Sequence, residues 1–311
     1  MMPAAKVMLG RLPTFGPWKW TLLLPLLAVY LVHTQHLDNR LFFWIQTSLH
    51  EAAWQGRSLW LPEYQVSIEA HKVAGVEDNL SGLTYDPDRD QLWAVANSPE
   101  ELLALSKQGE LLARYPLSGF SDVEGVAYLG DNLLLLTEER DHALVVIELP
   151  GKPGALFRED YRALTLGIGL GGNQGFEGAG YDRSRDRLFV VKEHSPRKLY
   201  EIRGLKASLA GQFNLKVIDR DKWIQHKAFA TDLSSVHYDE STGHLALLSE
   251  ESKLLMELDD DTGKLISFRS LLGGFAGLQN SVPQGEGMTL DADGDLYLVS
   301  EPNLFYRFER K

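Results

Sequence analysis

A short signature recurs five times along this chain, and that repetition limits the folds open to it. The copies begin Asn79-Leu-Ser-Gly-Leu-Thr-Tyr-Asp86, Asp122-Val-Glu-Gly-Val-Ala-Tyr128, Gly175-Phe-Glu-Gly-Ala-Gly-Tyr-Asp182, Asp232-Leu-Ser-Ser-Val-His-Tyr-Asp239 and Gln284-Gly-Glu-Gly-Met-Thr-Leu-Asp291. Their starts lie 43, 53, 57 and 52 residues apart. A period of roughly 40–50 residues holding four short strands is the mark of a β-propeller blade. The first copy reads as strands at 82–85, 91–96, 101–106 and 110–117. Polar turns such as Asp86-Pro-Asp-Arg-Asp90 and Lys107-Gln-Gly109 join them.

The fifth copy runs out of chain after its third strand, at 304–309. An alternating segment at 64–73, upstream of the first copy, supplies the missing outer strand. Pairing it with the last blade closes the ring without an open sheet edge. Five four-stranded blades closed by this N-terminal strand is the simplest count. Six follows if the connections at 151–174 or 205–231 hide a degenerate blade.

Ahead of the repeats, residues 1–19 carry Lys6, Arg11 and Lys19 and no acid, and an uncharged apolar run follows from Trp20 to Val32. No small-x-small cleavage site succeeds it, so the order reads as an uncleaved signal anchor, a transmembrane helix, rather than a removed signal. The positive-inside rule then leaves 1–36 as cytoplasmic tail and anchor. The rest stands outside the cytoplasm, which in a bacterial-type cell means an inner-membrane protein with a periplasmic propeller. Leu41, Trp44, Ile45, Ser48, Leu49 and Ala52 recur at helical spacing, so 37–63 reads as a helical stalk and 64–311 as the propeller.

The chain has no cysteine, which excludes disulfides, thiolate metal sites and thiol nucleophiles. Its net charge of −12 argues against a nucleic-acid partner. The placement of the acids is more telling than their number. Aligned, the copies put Ser81, Glu124, Glu177, Ser234 and Glu286 at the start of the inner strand. Asn97, Glu138, Glu193, Glu250 and Glu301 stand at the end of the next strand. Those two places share one mouth of the channel, so seven glutamates gather there. Like charges so placed need an offset: protons, basic neighbours such as Arg140, Lys192 or Arg197, or a bound cation. Among cations calcium fits oxygen donors best, with Glu124, Glu177, Glu286, Glu138, Glu193, Glu250, Glu301 and Asn97 as candidate ligands. Asn173 and Asn303 could add carbonyl oxygens. Glu193 and His194 are the candidates for a catalytic base if the site is hydrolytic.

Three weaker motifs carry less. Asp291-Ala-Asp-Gly-Asp295 opens like a calcium loop but has Pro302 where a bidentate Glu would stand, and it reads as a hairpin turn. Gly167-Ile-Gly-Leu-Gly-Gly172 has dinucleotide-loop spacing without the helix that must follow. Ser81 and Ser234 lack a nucleophile elbow.

The segments Asn79–Asp86, Gly119–Tyr128 and Gln284–Met288 together resemble the SdiA-regulated (YjiK-type) family over roughly residues 64–311. The resemblance implies a propeller, a bound calcium and an upstream membrane anchor, and it implies no particular activity. The expected function is a membrane-anchored binding or interaction module with a cation at the glutamate-rich mouth. The alternative is a calcium-dependent hydrolase of lactones or esters.

Overall fold

The computed structural model describes residues 24–27, 29–30, 37–166, 175–194, 196–211, 213–225 and 230–310. Most of the apolar run at 20–32 lies outside the described residues, as do Gly167–Gly172 and Asn173. No helix among the described residues is long and apolar enough to cross a membrane. The chain divides into two compact units, Met1–Gln46 and Thr47–Lys311. The longest described helix, α1, spans Leu37–Trp54.

Five antiparallel sheets account for the repeats. A lone strand, β1 (Tyr64–Lys72), precedes them. The first blade is β2 (Leu80–Asp86), β3 (Gln91–Asn97), β4 (Glu100–Leu105) and β5 (Leu111–Ser118). The second is β6 (Val123–Gly130), β7 (Leu133–Glu138) and β8 (Ala143–Glu148). After β9 (Leu156–Phe157), which pairs in parallel with β5, the chain returns as the outer strand β10 (Ala163–Thr165). The third comprises β11 (Phe176–Asp182), β12 (Arg187–Lys192) and β13 (Lys198–Arg203), then α2 (Leu205–Leu209), β14 (Lys216–Asp219) and α3 (Asp221–Gln225). The fourth is β15 (Ser235–Asp239), β16 (His244–Ser249), β17 (Leu254–Asp259) and β18 (Leu265–Ser270). The fifth is β19 (Gln284–Leu290), β20 (Leu296–Glu301) and β21 (Leu304–Arg310). The connections at 151–174 and 205–231 supply outer strands and short helices to blades 1, 2 and 3, so the count is five and not six.

Closure follows the expected route. β1 pairs antiparallel with β21, from Tyr64 opposite Arg310 to Lys72 opposite Leu304. The inner strands β2, β6, β11, β15 and β19 pack side by side in a ring, and β19 returns to β2.

The apolar core lies between blades rather than beneath one sheet. Trp93, Val95 and Leu102 of blade 1 meet Val126, Leu134 and Leu136 of blade 2. Leu92, Ala94 and Leu103, on the opposite face of the same blade, meet Tyr297, Val299 and Phe305 of blade 5. A strand packed on both faces has no solvent side, so the second strands read as unbroken apolar runs, Leu133–Leu136 and Leu245–Leu248 among them.

In four of the copies an Asp at the end of the inner strand, or just after it at Asp291, builds the following turn. Asp86 Oδ1 accepts from the Asp88 and Arg89 amides at 3.0 and 3.2 Å. Asp182 does the same for Ser184 and Arg185, and Asp291 for Asp293 and Asp295. The Asp291–Asp295 segment is therefore a hairpin turn whose leading carboxylate is spent on backbone amides.

Candidate functional site

Each inner strand enters the ring at the same mouth, and in four of the five its entry is shaped by a glycine, blade 4 carrying Ser235 there. A Cβ on Gly125 would stand 2.2 Å from the Glu177 carbonyl oxygen, one on Gly178 2.5 Å from Ser235 Cα, and one on Gly287 2.5 Å from the Gly82 carbonyl carbon. The Glu-Gly and Ser-Gly steps of the repeat are thus demanded by backbones that nearly touch around the axis. In four of the five blades the pairing of first and second strands slips by one residue at this step. The slips fall between Ser81 and Leu83, Val123 and Gly125, Phe176 and Ala179, and Gly285 and Gly287. Such bulges re-aim the side chains at them. Here those are Glu124, Glu177 and Glu286, with Ser81 beside the first slip. Blade 4 pairs without a slip and carries Ser234, whose hydroxyl donates to the Gly285 carbonyl at 2.8 Å. Ser81 likewise donates to the Glu124 carbonyl at 2.7 Å. The two serines tie neighbouring blades together.

Strand register corrects one member of the second column. Val126 pairs with Leu136, as Leu83 does with Ala94, Ala179 with Val190, Val236 with Leu247 and Met288 with Leu298. Counting on from these pairs aligns Asn97, Glu193, Glu250 and Glu301 with Glu139, not Glu138. Glu138 is 1% exposed, and its carboxylate is held 2.9 Å from Arg158 Nε, with the Ser121 amide also donating to it. Successive strand residues point to opposite sides, so Glu138 turns into the flank of blade 2 and Glu139 toward the mouth.

There Glu139 meets Glu124 and Asp122, one carboxylate oxygen of each lying within 4.8 Å of the other two. The Glu139 backbone N–H donates to the Asp122 carbonyl at 2.9 Å, and the Glu139 carboxylate accepts from the Gly175 N–H at 3.2 Å. Asn97 Nδ2 donates to Glu124 Oε1. Arg140 Nε lies 2.8 Å from Asp122 Oδ2, which is buried without an aligned hydrogen-bond donor. Among the described residues, no arginine or lysine forms an ion pair with Glu124, Glu139, Glu177 or Glu286.

Burial and mutual repulsion make this an uncommon set of carboxyls. Burial, then the proximity of Glu124, Glu139, Glu193 and Glu286, holds Glu177 well above the usual carboxylate range. Burial pushes Glu286 up to about 8, with Glu124, Glu301 and Glu193 adding to it. Glu124 rises to about 7 through burial, restrained by its bonds to Asn97 and Ser81. Burial likewise raises Glu139 and Glu193. Groups shifted this way favour the neutral form until a cation arrives.

The remaining candidates sit at the edge of the cluster. Glu250 is ion-paired with Lys253 at 2.6 Å. Glu301 is half-buried beside Asp78 and Glu250. His194 Nε2 lies 3.3 Å from Glu193 Oε1 and 3.7 Å from Glu251 Oε1. Asn303 donates to the Val76 carbonyl at 2.6 Å. Of the expected basic neighbours, Lys192 donates to the His194 carbonyl at 2.7 Å and Arg197 to the Ala230 carbonyl, and only Arg140 faces an acid of the cluster. Asp122 and Glu139 are the two members that sequence alignment passed over. The first opens the motif Asp122-Val-Glu124, and the second adjoins the residue chosen.

The sequence model of the SdiA-regulated family matches residues 56–309. The chain belongs to the SdiA-regulated family. Among solved structures it is similar to a glutaminyl cyclase from Myxococcus xanthus, at 12% identity and a TM-score of 0.52, over 79% of this chain and 95% of that one. A luciferin-regenerating enzyme is similar at 11% identity and a TM-score of 0.49, over 78% and 94%. A catalytically inactive virginiamycin B lyase from Staphylococcus aureus with quinupristin is similar at 13% and 0.41, over 74% and 65%. At 12% identity the likeness to the glutaminyl cyclase speaks to fold alone.

Proposed function

We propose that this member of the SdiA-regulated family is a membrane-anchored binding module that holds a divalent cation, calcium, at the glutamate-lined mouth of its propeller. The observation that carries the reading is the cluster of Asp122, Glu124 and Glu139, backed by buried Glu177 and, among the described residues, with a single arginine against it. The donor set is all oxygen and the chain has no cysteine, which favours a hard cation over zinc. Calcium in particular accepts a mixture of carboxylate, amide and water oxygens in flexible geometry, and the Asn97 amide beside Glu124 suits that. Glu193, Glu286 and Glu301 surround the cluster as further carboxyls, and Glu250 stands at its border in its pair with Lys253.

Anchoring is proposed on the sequence order: basic residues to position 19, the apolar run from Trp20 to Val32, and no cleavage site after it. The helix α1 that follows exposes Leu41, Phe42, Trp44, Ile45 and Leu49, which suits a stretch next to a bilayer. The inner membrane is then the partner of residues 1–36, with residues 64–311 on the extracytoplasmic side.

Calorimetric titration of chelated protein with calcium tests the metal. One equivalent bound by the wild type and at least tenfold weaker binding in Glu124→Gln and Glu139→Gln is the expected result. A wild-type protein that takes up no calcium rejects it.

A further inference from the structure

A cleft of about 530 Å³ opens on the outer side of the ring, between the start of β1 and the connection from β18 to β19. Pro62, Gln65, Val66, Ala276 and Gly277 give it uncharged walls that solvent reaches, and Glu63 stands exposed among them. Its floor is Arg269, which is 2% exposed. We propose that this cleft binds a small monocarboxylate with an apolar body, its anionic group pairing with the Arg269 guanidinium.

Arg269 is a buried cation without an anion. Nη1 donates to the Tyr64 carbonyl at 2.5 Å and Nη2 to the Ala276 carbonyl, while Nε is buried with no hydrogen-bond partner. Three of the five guanidinium protons therefore have no acceptor among the described residues. The two carbonyls and the Phe308 ring, whose centre lies 4.9 Å from the guanidinium carbon, hold the fork in place but carry no net charge. Burial pushes Arg269 down to about 10, and no acid lies close enough to oppose it. Arg187, 5% exposed, shows the usual arrangement, with Asp182 and Asp260 each at 2.7 Å. Buried charges are as a rule paired in this way, so the missing partner of Arg269 points to one that arrives from the cleft.

The rest of the lining narrows the class of ligand. One guanidinium balances one negative charge, and its planar fork matches a carboxylate. A phosphate dianion would find no second cation, because the described lining holds no lysine and no other arginine, and Glu63 would repel it further. With Arg269 recessed in the floor, only a thin, flat group reaches it. The volume of about 530 Å³ falls within the roughly 300–1,000 Å³ of ordinary ligand pockets. That leaves room for a body of several carbons against Pro62, Val66 and Ala276.

The test is saturation-transfer NMR on the full chain in dodecyl maltoside micelles, with cyclohexanecarboxylate as probe and its neutral amide as control. The carboxylate should bind saturably and the amide at least tenfold more weakly, and a tenfold excess of inorganic phosphate should not displace the carboxylate. Arg269→Gln removes the charge and should weaken the carboxylate at least tenfold. Because Arg269 also clamps β1, two exposed lining residues serve as levers that leave the fold alone. Gln65→Glu adds an anion to the cleft and should weaken the carboxylate at least threefold, and Glu63→Gln removes one and should tighten it as much. No saturable carboxylate binding, equal binding of the amide, displacement by phosphate, or indifference to both Gln65→Glu and Glu63→Gln overturns the proposal. Calcium titration of Gln65→Glu should match wild type, which keeps this result separate from the metal reading.

Discussion

The Gly125 backbone lies against the Glu177 carbonyl so closely that an added Cβ would stand 2.2 Å away. The contact is with backbone, which cannot swing aside as the end of a side chain can. Gly125→Ala must therefore part the inner strands of blades 2 and 3, at a cost of about 1–3 kcal/mol or more. It also displaces the Glu124 carboxylate beside it. Denaturant unfolding should show that loss, with calcium affinity falling in parallel. Gly151→Ala, where nothing lies within 4 Å of the added carbon, should do neither.

Adjacent glutamates in blade 2 should separate by function. Glu139→Gln removes a carboxylate from the proposed cation cluster and should lower calcium affinity at least tenfold with little loss of stability. Glu138→Gln breaks a pair in which the acid is buried and Arg158 keeps a partly open side chain. It should cost about 1–3 kcal/mol in unfolding experiments and leave the calcium stoichiometry intact. The reverse pattern would return Glu138 to the mouth.

That pair also marks where reading the sequence stopped short. The five repeats, the closing strand and the outer positions of the glutamates are periodic features, and periodicity survives in one dimension. The choice between Glu138 and Glu139 depends on strand register: Tyr128 pairs with Leu134, a hairpin one residue shorter than Tyr85 with Leu92 or Tyr181 with Leu188. Two neighbouring glutamates are alike in type, and only the pairing of β6 with β7 tells them apart. Asp122 was missed for a related reason. It precedes the strand and reaches the cluster only because its backbone, with φ at 56°, turns back toward Glu139.

The raised carboxyls make stability depend on pH in a direction opposite to that of an ion-paired acid. A carboxyl whose folded value lies above its unfolded one binds its proton more tightly in the folded chain. Stability is then full at low pH and is lost as pH climbs from the ordinary value of 4.5 to about 8, where Glu286 titrates. Chelated protein should melt at progressively lower temperature across that window, and saturating calcium should flatten the slope by neutralising the ionised cluster. Glu286→Gln should reduce the slope in the absence of metal. A chelated protein as stable at pH 8 as at pH 5 would show that the mouth is better hydrated than its burial indicates.

The segment before the first strand is latched to a blade it does not extend. Glu257 of β17, fully buried, accepts from the Leu59 amide at 2.7 Å, the Trp60 amide at 3.1 Å, the Ser267 hydroxyl at 2.7 Å and His244 Nδ1 at 2.8 Å. Four residues later β1 joins blade 5, so one carboxylate in blade 4 fixes where the closing strand begins. Glu257→Ala would leave four buried donors without their acceptor, a loss of about 3–5 kcal/mol by the cost of stripping one partner from a buried charged network. Glu257→Gln keeps the volume and one acceptor oxygen and should cost less. Because the lost bonds hold residues 59 and 60, limited proteolysis of Glu257→Ala should open a new cleavage site just before Tyr64 while blades 1 to 3 stay protected. Uniform cleavage around the whole ring would mean instead that the latch stabilises all five blades as one cooperative unit.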